Sequence, residues 1–298
     1  MKTEVSIIIV NYNCEEHICN CIDSIYKFVS EPEFEIIIVD NASADNSVRI
    51  IKERYPSVKL IVNELNVGFG AANNVGAQHA NGNYLFFLNP DTFLLNNGVL
   101  DFFRFLEESE PEVACCGGNL VQKDGSLNRS FGNLPSFFQE FSEKGAGKLF
   151  KKYYKKHLSI GKSCDFSNIK QVPYLVGADI FIRKSAFENV SGFDPGFFMY
   201  FEETDLFYRL KNKGYLSFIL PETRIIHIES VTMENLQTFN YKWWALFEKS
   251  RYYYYKKHYG SMISLLVKMM QIGSFMLNHF FGTTPIDTKR ALQITLKA

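Results

Sequence analysis

The chain has 298 residues, 46% of them hydrophobic and 21% charged, with 28 Phe, 16 Tyr and 2 Trp. That composition can bury a large core and excludes an intrinsically disordered protein, and the length admits one large α/β domain or two modest ones. The 32 basic and 32 acidic residues cancel, which argues against a nucleic-acid binder, but from Lys242 onward 9 Lys/Arg face only 2 Asp/Glu, so the last fifth is cationic and the rest anionic.

The N-terminus opens with one Lys and a short apolar run, Val5 to Val10, too brief for a signal-peptide core, so it reads as a first strand. Further apolar runs without alternation at Glu35–Val39, Lys59–Val62 and Tyr84–Leu88 predict strands covered on both faces. Helical patterns at about 15–28, 46–54 and 70–80 lie between them, which implies a parallel sheet with right-handed crossovers. A helix near 97–108 and a strand near 113–120 follow. Residues 123–170, with Gly, Ser, Asn and a Lys run at 144–156, read as an insertion of loops and short helices. Regular structure resumes at 172–183, with a helix near 184–190, a turn at 192–196, a helix over 204–213, strands near 215–220 and 224–228, and a helical tail from about 235. The six cysteines show no C-x-x-C pair and fit reduced thiols in a cytosolic chain.

Parallel α/β sheets place ligands at the carboxyl ends of their strands. Here each strand ends in polar residues: Asn11-Tyr12-Asn13, Asp40-Asn41, Asn63 to Asn66, and Asn89-Pro90-Asp91. A carboxylate such as Asp40 can accept from a base or ribose hydroxyl; the same residues also suit a loop feeding a helix cap. Gly68-Phe-Gly-Ala-Ala-Asn73 imitates a dinucleotide fingerprint but follows the third strand, not the first, and speaks against a nicotinamide enzyme. Asp91 at a strand end can hold a divalent cation against a diphosphate, or cap the helix ahead. Glu202, Glu203 and Asp205 stand in an aromatic surrounding, where adjacent carboxylates raise each other's pKa and one can serve as a general base. Acidic residues opening a helix also complement its dipole, a role that suits Asp205. His227, between two isoleucines on an expected strand, gains meaning only beside Asp91, as an O/N site for Mn²⁺ or Mg²⁺.

Five segments in order, Ser6–Asn13, Val39–Ser43, Asn66–Gly76, Phe87–Asp91 and Gly192–Leu206, resemble those of family-2 inverting glycosyltransferases of GT-A fold, nearest to a bacterial rhamnosyltransferase-like branch. The resemblance covers about residues 4–260. It implies an α/β, Rossmann-like, mostly parallel sheet flanked by helices, with donor half 1–120 and acceptor half 121–240, followed by a helical appendage at 241–298. It further implies that Asn11, Tyr12 and Asp40 hold the nucleotide of a UDP- or dTDP-sugar, that Asn66, Gly68 and Asn74 line the donor side, and that Asp91 ends the metal-binding triplet. Asn89 departs from that triplet's first carboxylate. Glu203 falls on the catalytic base, His227 where some members place a metal-ligating His, and Asp194, Phe198 and Glu202 on the acceptor side. Arg129 and Arg251 are candidates for a substrate phosphate. A catalytically silent sugar-nucleotide-binding or scaffold protein is the alternative; a nucleotidyltransferase would need a basic Gly-rich loop after the first strand.

Residues 262–282 hold 13 large apolar residues with a polar stripe at Ser264, Lys268, Gln271, Ser274 and Asn278. This pattern reads either as a helix lying in an anionic membrane surface or as one packed on the domain or in a homodimer. The first reading makes the chain a cytoplasmic protein, peripheral on the inner face of the membrane, that extends a saccharide or lipid-linked saccharide for a surface polysaccharide. The functional reading requires Asp91, His227 and Glu203 to surround one pocket.

Overall fold

The computed structural model describes residues 2–143, 168–228, 240–280 and 287–298, apart from the side chains of 143, 278–280 and 288. Among the described residues its frame is a sheet of nine strands: β1 (Val5–Asn11), β2 (Phe34–Asp40), β3 (Lys59–Val62), β4 (Tyr84–Leu88), β5 (Thr92–Leu94), β6 (Val113–Val121), β8 (Lys170–Val172), β10 (Asp179–Arg183) and β11 (Leu216–His227). The short β7 (Phe131–Gly132) and β9 (Tyr174–Leu175) form a separate antiparallel pair. The order is β3-β2-β1-β4-β10-β6-β11-β5, with β8 added on β11. Strands β1 to β4 are parallel, as the alternation of strand and helix requires, and β10 enters antiparallel between β4 and β6.

All seven residues of β1 are buried because both faces of the sheet are covered. Ile7 and Ile9 pack into the core beneath α1 (Glu15–Phe28), α2 (Ser47–Arg54) and α4 (Gly98–Glu107), whereas Ile8 turns to the opposite core with Ile180, Phe187 and Phe193. On the second face lie α3 (Phe69–Gln78), α6 (Lys184–Asn189) and α7 (Glu202–Asn212). Each fully buried Ile or Phe contributes about 1.5–3 kcal/mol relative to exposure, so the unbroken apolar runs suffice to hold the frame.

Two features of the sheet differ from expectation. The separate strands near 215–220 and 224–228 are one strand, β11, whose register against β6 shifts between Leu220 and Arg224. Pro221, which has no N–H to give a ladder, sits in that bulge, and Asn119 Nδ2 donates to its carbonyl at 2.9 Å. The three-residue β5, too short to leave a periodic signal, pairs antiparallel with β11 and sets Thr92 opposite His227.

The insertion is described up to α5 (Phe137–Glu143); its Lys run, like Cys164 and residues 229–239, lies outside the described residues. The five described cysteines are buried free thiols. The tail forms α8 (Tyr241–Tyr259), α9 (Ser261–Phe280) and α10 (Thr288–Lys297). Three residues of the polar stripe of α9 are turned toward protein: Ser264 Oγ donates to the Tyr252 carbonyl at 2.9 Å, Lys268 Nζ donates to the Leu296 carbonyl at 3.1 Å, and Gln271 Oε1 accepts from Arg251 at 3.3 Å. The stripe thus serves packing, and large apolar side chains face out: Met262, Leu265, Leu266, Met269, Met276 and Leu277. Arg251 is corrected too: it is 5% exposed and paired with Glu248 at 3.1 Å inside the helical unit, far from any role as a free phosphate ligand. Among the described residues, no helix is long and apolar enough to cross a membrane.

Candidate active site

The sheet reverses direction of growth at β1, with β2 on one side and β4 on the other, which opens a crevice at the carboxyl ends of these strands. Asn11 and Asp40 end β1 and β2 in register. Both are buried; Asn11 Nδ2 donates to Asp40 Oδ1 at 2.8 Å, and the Ser43 N–H donates to Asp40 Oδ2 at 2.9 Å. Asn11 Oδ1 is buried with no partner among the described residues. Tyr12, 45% exposed, stands on the rim above them.

Asn41, one of the polar strand ends but not among the residues that the resemblance assigns to the donor, is the hub of the neighbouring loop. Its Oδ1 accepts from Asn63 Nδ2 and the Val67 N–H, both at 3.1 Å, and its Nδ2 donates to Asn66 Oδ1 at 2.8 Å. The only hint in the sequence is its place directly after β2. Asn66 in turn accepts from the Gly68 N–H at 3.0 Å. Gly68 has φ of +90°, and a Cβ there would lie 2.3 Å from the Phe198 carbonyl oxygen. The Phe69 N–H donates to that same oxygen at 3.0 Å, so the donor-side loop is docked directly on the 193–201 segment. Asn74 is placed differently from expectation: both ends of its amide clasp the Phe193 backbone, at 2.7 and 2.9 Å. In this position its amide braces the crevice wall.

At the end of β4 the chain turns sharply, with Thr92 Oγ1 donating to the Asn89 carbonyl at 2.7 Å. The Ile228 N–H donates to the Asp91 carbonyl at 3.1 Å, an extension of the β5–β11 pairing that carries His227 to the turn. His227 Nε2 lies 3.5 Å from Asp91 Oδ1 and 3.4 Å from Asn89 Nδ2. The helix ahead is capped by Asn97, whose Oδ1 accepts from the Leu100 N–H, so Asp91 does not serve as that cap. Among the described residues no group of three or more His, Cys, Asp or Glu gathers as a metal centre. The departure at Asn89 accounts for this, since an amide stands where a carboxylate would. The residue types nevertheless fit a hard divalent cation: one carboxylate, one imidazole, and an amide whose Nδ2 faces His227 and whose Oδ1 is buried with no partner among the described residues.

Glu202 and Glu203 open α7. Tyr200 and Phe201 just before them hold φ of +67° and +66°, a left-handed conformation that costs non-glycine residues about 1–3 kcal/mol each and concentrates at functional turns. Glu203 lies across from Gly177, where a Cβ would be 3.9 Å from Glu203 Cγ and 3.6 Å from the Phe69 ring. The next residue, Ala178, accepts from the Asn89 N–H at 3.0 Å. Consecutive residues Gly177 and Ala178 thus neighbour Glu203 on one side and the turn carrying Asn89 on the other.

Burial raises the Glu203 carboxyl above its ordinary range, while helix-terminal N–H groups and the charge of Arg129 pull it back. Burial, and then the charge of Glu203, pushes Glu202 well above that range. Glu202 is 5% exposed, with Oε2 unpartnered among the described residues. Arg129, held by the Tyr174 hydroxyl, thus brings its charge to bear on Glu203, although no substrate contact follows from that alone. Phe198 is half-exposed at the crevice, whereas the Asp194 carboxylate, expected to face an acceptor, is taken up by Lys257 at 2.6 Å, Tyr253 at 3.1 Å and the Gly196 N–H at 2.8 Å. Asp205 is buried and bound to Arg209, Lys257 and His258.

A mostly parallel sheet flanked by helices, with amides and carboxylates at its switch-point strand ends, is the architecture of a GT-A glycosyltransferase. The family model for glycosyl transferase family 2 matches residues 6–201, and the chain belongs to that family. Over 244 residues, 76% of each chain, it is 25% identical to the N-acetylglucosaminyl-diphospho-decaprenol L-rhamnosyltransferase of Mycobacterium tuberculosis (strain CDC 1551 / Oshkosh). It is 27% identical over 234 residues to the rhamnosyltransferase WbbL of Escherichia coli (strain K12), covering 75% of this chain and 83% of that one. In structure it superposes on the mannosyltransferase PcManGT of Pyrobaculum calidifontis, solved with GDP-Man and Mn²⁺, with a TM-score of 0.57 at 14% identity, covering 100% of this chain and 80% of that one.

Proposed function

We propose that the protein is an inverting, cation-assisted rhamnosyltransferase that moves the sugar of a nucleotide-diphospho-sugar such as dTDP-rhamnose to a hydroxyl of a lipid-diphosphate-linked saccharide in surface polysaccharide synthesis. The observation that carries the reading is that Glu203, with its raised carboxyl, and the turn of the Asn89–Asp91–His227 group both neighbour the consecutive residues Gly177 and Ala178. The names of the two relatives support the sugar and the lipid-linked acceptor.

In this reading Asn11, Tyr12 and Asp40 receive the nucleotide, and the Asn41–Asn66–Gly68 loop shapes the donor side. Glu203 takes the proton of the acceptor hydroxyl while that oxygen forms its bond to the anomeric carbon from the face opposite the nucleotide. The anomeric C–O bond breaks, the electron pair leaves with the nucleoside diphosphate, and the configuration inverts. Asp91, His227 and the Asn89 amide oxygen would hold a Mn²⁺ or Mg²⁺ ion, which when bound supplies charge neutralisation for the departing diphosphate.

The outward apolar row of α9 and the net +7 of the region from Lys242 onward suit an anionic lipid surface, where the acceptor's carrier would reside. An isologous dimer through the same row would set two like-charged tails against each other.

The test is nucleoside diphosphate release across a panel of UDP- and dTDP-sugars, with calorimetric donor binding in parallel. Wild type turns over, with kcat/KM rising as pH rises through the elevated Glu203 pKa, because the base must be ionised. Glu203→Gln is expected to lose at least about 10²-fold in kcat while binding donor normally. Full activity in the variant would move the base elsewhere, and donor binding without turnover by wild type would make the chain a silent sugar-nucleotide binder.

A further inference from the structure

The strained turn before Glu202 is moulded by a helix that the sequence assigns to an appendage. Along the 194–205 segment a series of anchors comes from α8. Lys257 Nζ bridges Asp194 Oδ2 and Asp205 Oδ1, each at 2.6 Å. His258 Nε2 lies 2.7 Å from Asp205 Oδ1, and its ring is flanked by Tyr208 and Tyr254 at 4.0 and 4.8 Å. Ser250 Oγ donates to the Met199 carbonyl at 2.7 Å, directly ahead of the two left-handed residues. The rings of those residues pack on α8 as well, with Tyr200 and Phe201 at 5.6 and 5.3 Å from Phe247. Tyr253 stacks edge-on against Phe197 at 4.7 Å.

We propose that α8 is a working part of the catalytic turn, with Lys257 as its positioning residue: by binding Asp194 and Asp205 together it closes the loop on both sides of Tyr200-Phe201 and so fixes where Glu203 points. Asp205 lies two positions beyond Glu203 on α7, so a shift of its anchor turns the first helical turn and carries the base with it. Burial opposes ionisation of Asp205 and Asp194, but His258, Arg209 and Lys257 hold the first, and Lys257 with the Gly196 N–H the second, below the ordinary carboxylate range. Both partners of Lys257 are therefore charged at neutral pH. A lysine with two carboxylates suits a bracket, since its ammonium can donate to both at once. The proposal rests on the reading of Glu203 as base.

The experiment uses the full chain with dTDP-rhamnose and an N-acetylglucosaminyl-diphospho lipid, measuring kcat, acceptor KM and donor Kd for Lys257→Met, Lys257→Arg and Ser250→Ala, with Glu203→Gln alongside. Lys257→Met is expected to lower kcat at least about 10-fold with donor Kd unchanged, because misplacing a reacting group costs rate rather than donor affinity. Lys257→Arg is expected to recover most of the rate. Ser250→Ala, which removes one hydrogen bond and leaves the ion pairs intact, is expected to lower kcat a few-fold and keeps the proposal testable if Lys257→Met folds poorly. Wild-type kcat in Lys257→Met, or in Ser250→Ala should the first variant not fold, overturns the proposal, as does loss of donor binding in parallel with rate. An inactive Glu203→Gln beside a fully active Lys257→Met removes the bracket alone, whereas an active Glu203→Gln removes the base assignment.

Discussion

Asn89, whose amide oxygen is buried without a partner among the described residues and whose Nδ2 faces His227, shares a turn with Asp91, and in the proposed reading this small group manages the diphosphate. A carboxylate, an imidazole and an amide oxygen carry one formal negative charge fewer than a site with an acid at both ends, so such a site leans on the donor's own phosphate oxygens to complete the coordination. Asp91→Ala is accordingly expected to weaken Mn²⁺-supported donor binding by about 10–100-fold while leaving binding in excess chelator unchanged. A calorimetric titration identical to wild type would remove Asp91 from the donor site. Asp91 and Glu203 were legible as residues, one closing an apolar strand and the other opening a helix amid aromatics. His227 was named as a partner of Asp91 only as a condition and through the family resemblance, because its position depends on a three-residue strand, β5, paired with β11, which leaves no local pattern.

The elements around the crevice are joined by close backbone approaches that a side-chain inventory does not reveal. Gly68 is one: with φ of +90° and the Phe198 carbonyl where a methyl would be, it can be neither left-handed at low cost nor in contact once substituted. Gly68→Ala should destabilise the fold by about 1–3 kcal/mol, and should lower turnover further by pushing the donor loop off the acceptor segment. Thermal melts and kcat measured on the same preparation check this; a variant with wild-type melting and rate would show that the two segments separate freely. The glycines after β3 announce some sharp turn or close approach, yet which segment approaches is set by the crossover that brings residue 198 back over α3, about 130 positions later in the chain. The fused β11 follows the same logic, because a proline and a bulge interrupt the sequence pattern without interrupting the strand.

For the molecule as a whole, the tail turns Ser264 and Gln271 of its polar stripe inward, as the packed-helix reading expects, and leaves a row of large apolar side chains outward. Buried Arg251, Glu248 and Gln271 give the inward face a reason to be polar, since each needs a partner once removed from water. The outward Leu265 and Met269, 57% and 58% exposed, are left for a surface of another kind. The full chain is expected to co-sediment with vesicles containing phosphatidylglycerol, less with phosphatidylcholine alone, and Leu265→Glu with Met269→Glu should abolish the binding while the melting temperature stays within a few degrees. Absence of vesicle binding in wild type, or a dimer dispersed by the same pair of substitutions, would remove the membrane reading.

What the sequence determined by itself follows from short-range physics. Apolar runs and capping residues specify parallel strands and helices, and the topology of such sheets sends polar strand ends to one edge, so Asn11, Asp40, Asp91 and the Glu202-Glu203 pair could be named before any coordinate. Tertiary structure alone decided which groups meet: His227 with Asp91 through β5, Asn74 with the Phe193 backbone, Asp194 and Asp205 with Lys257 of α8. Those contacts join residues tens to more than a hundred positions apart, and their geometry is the sum of many packing choices along the intervening chain, which no local pattern encodes.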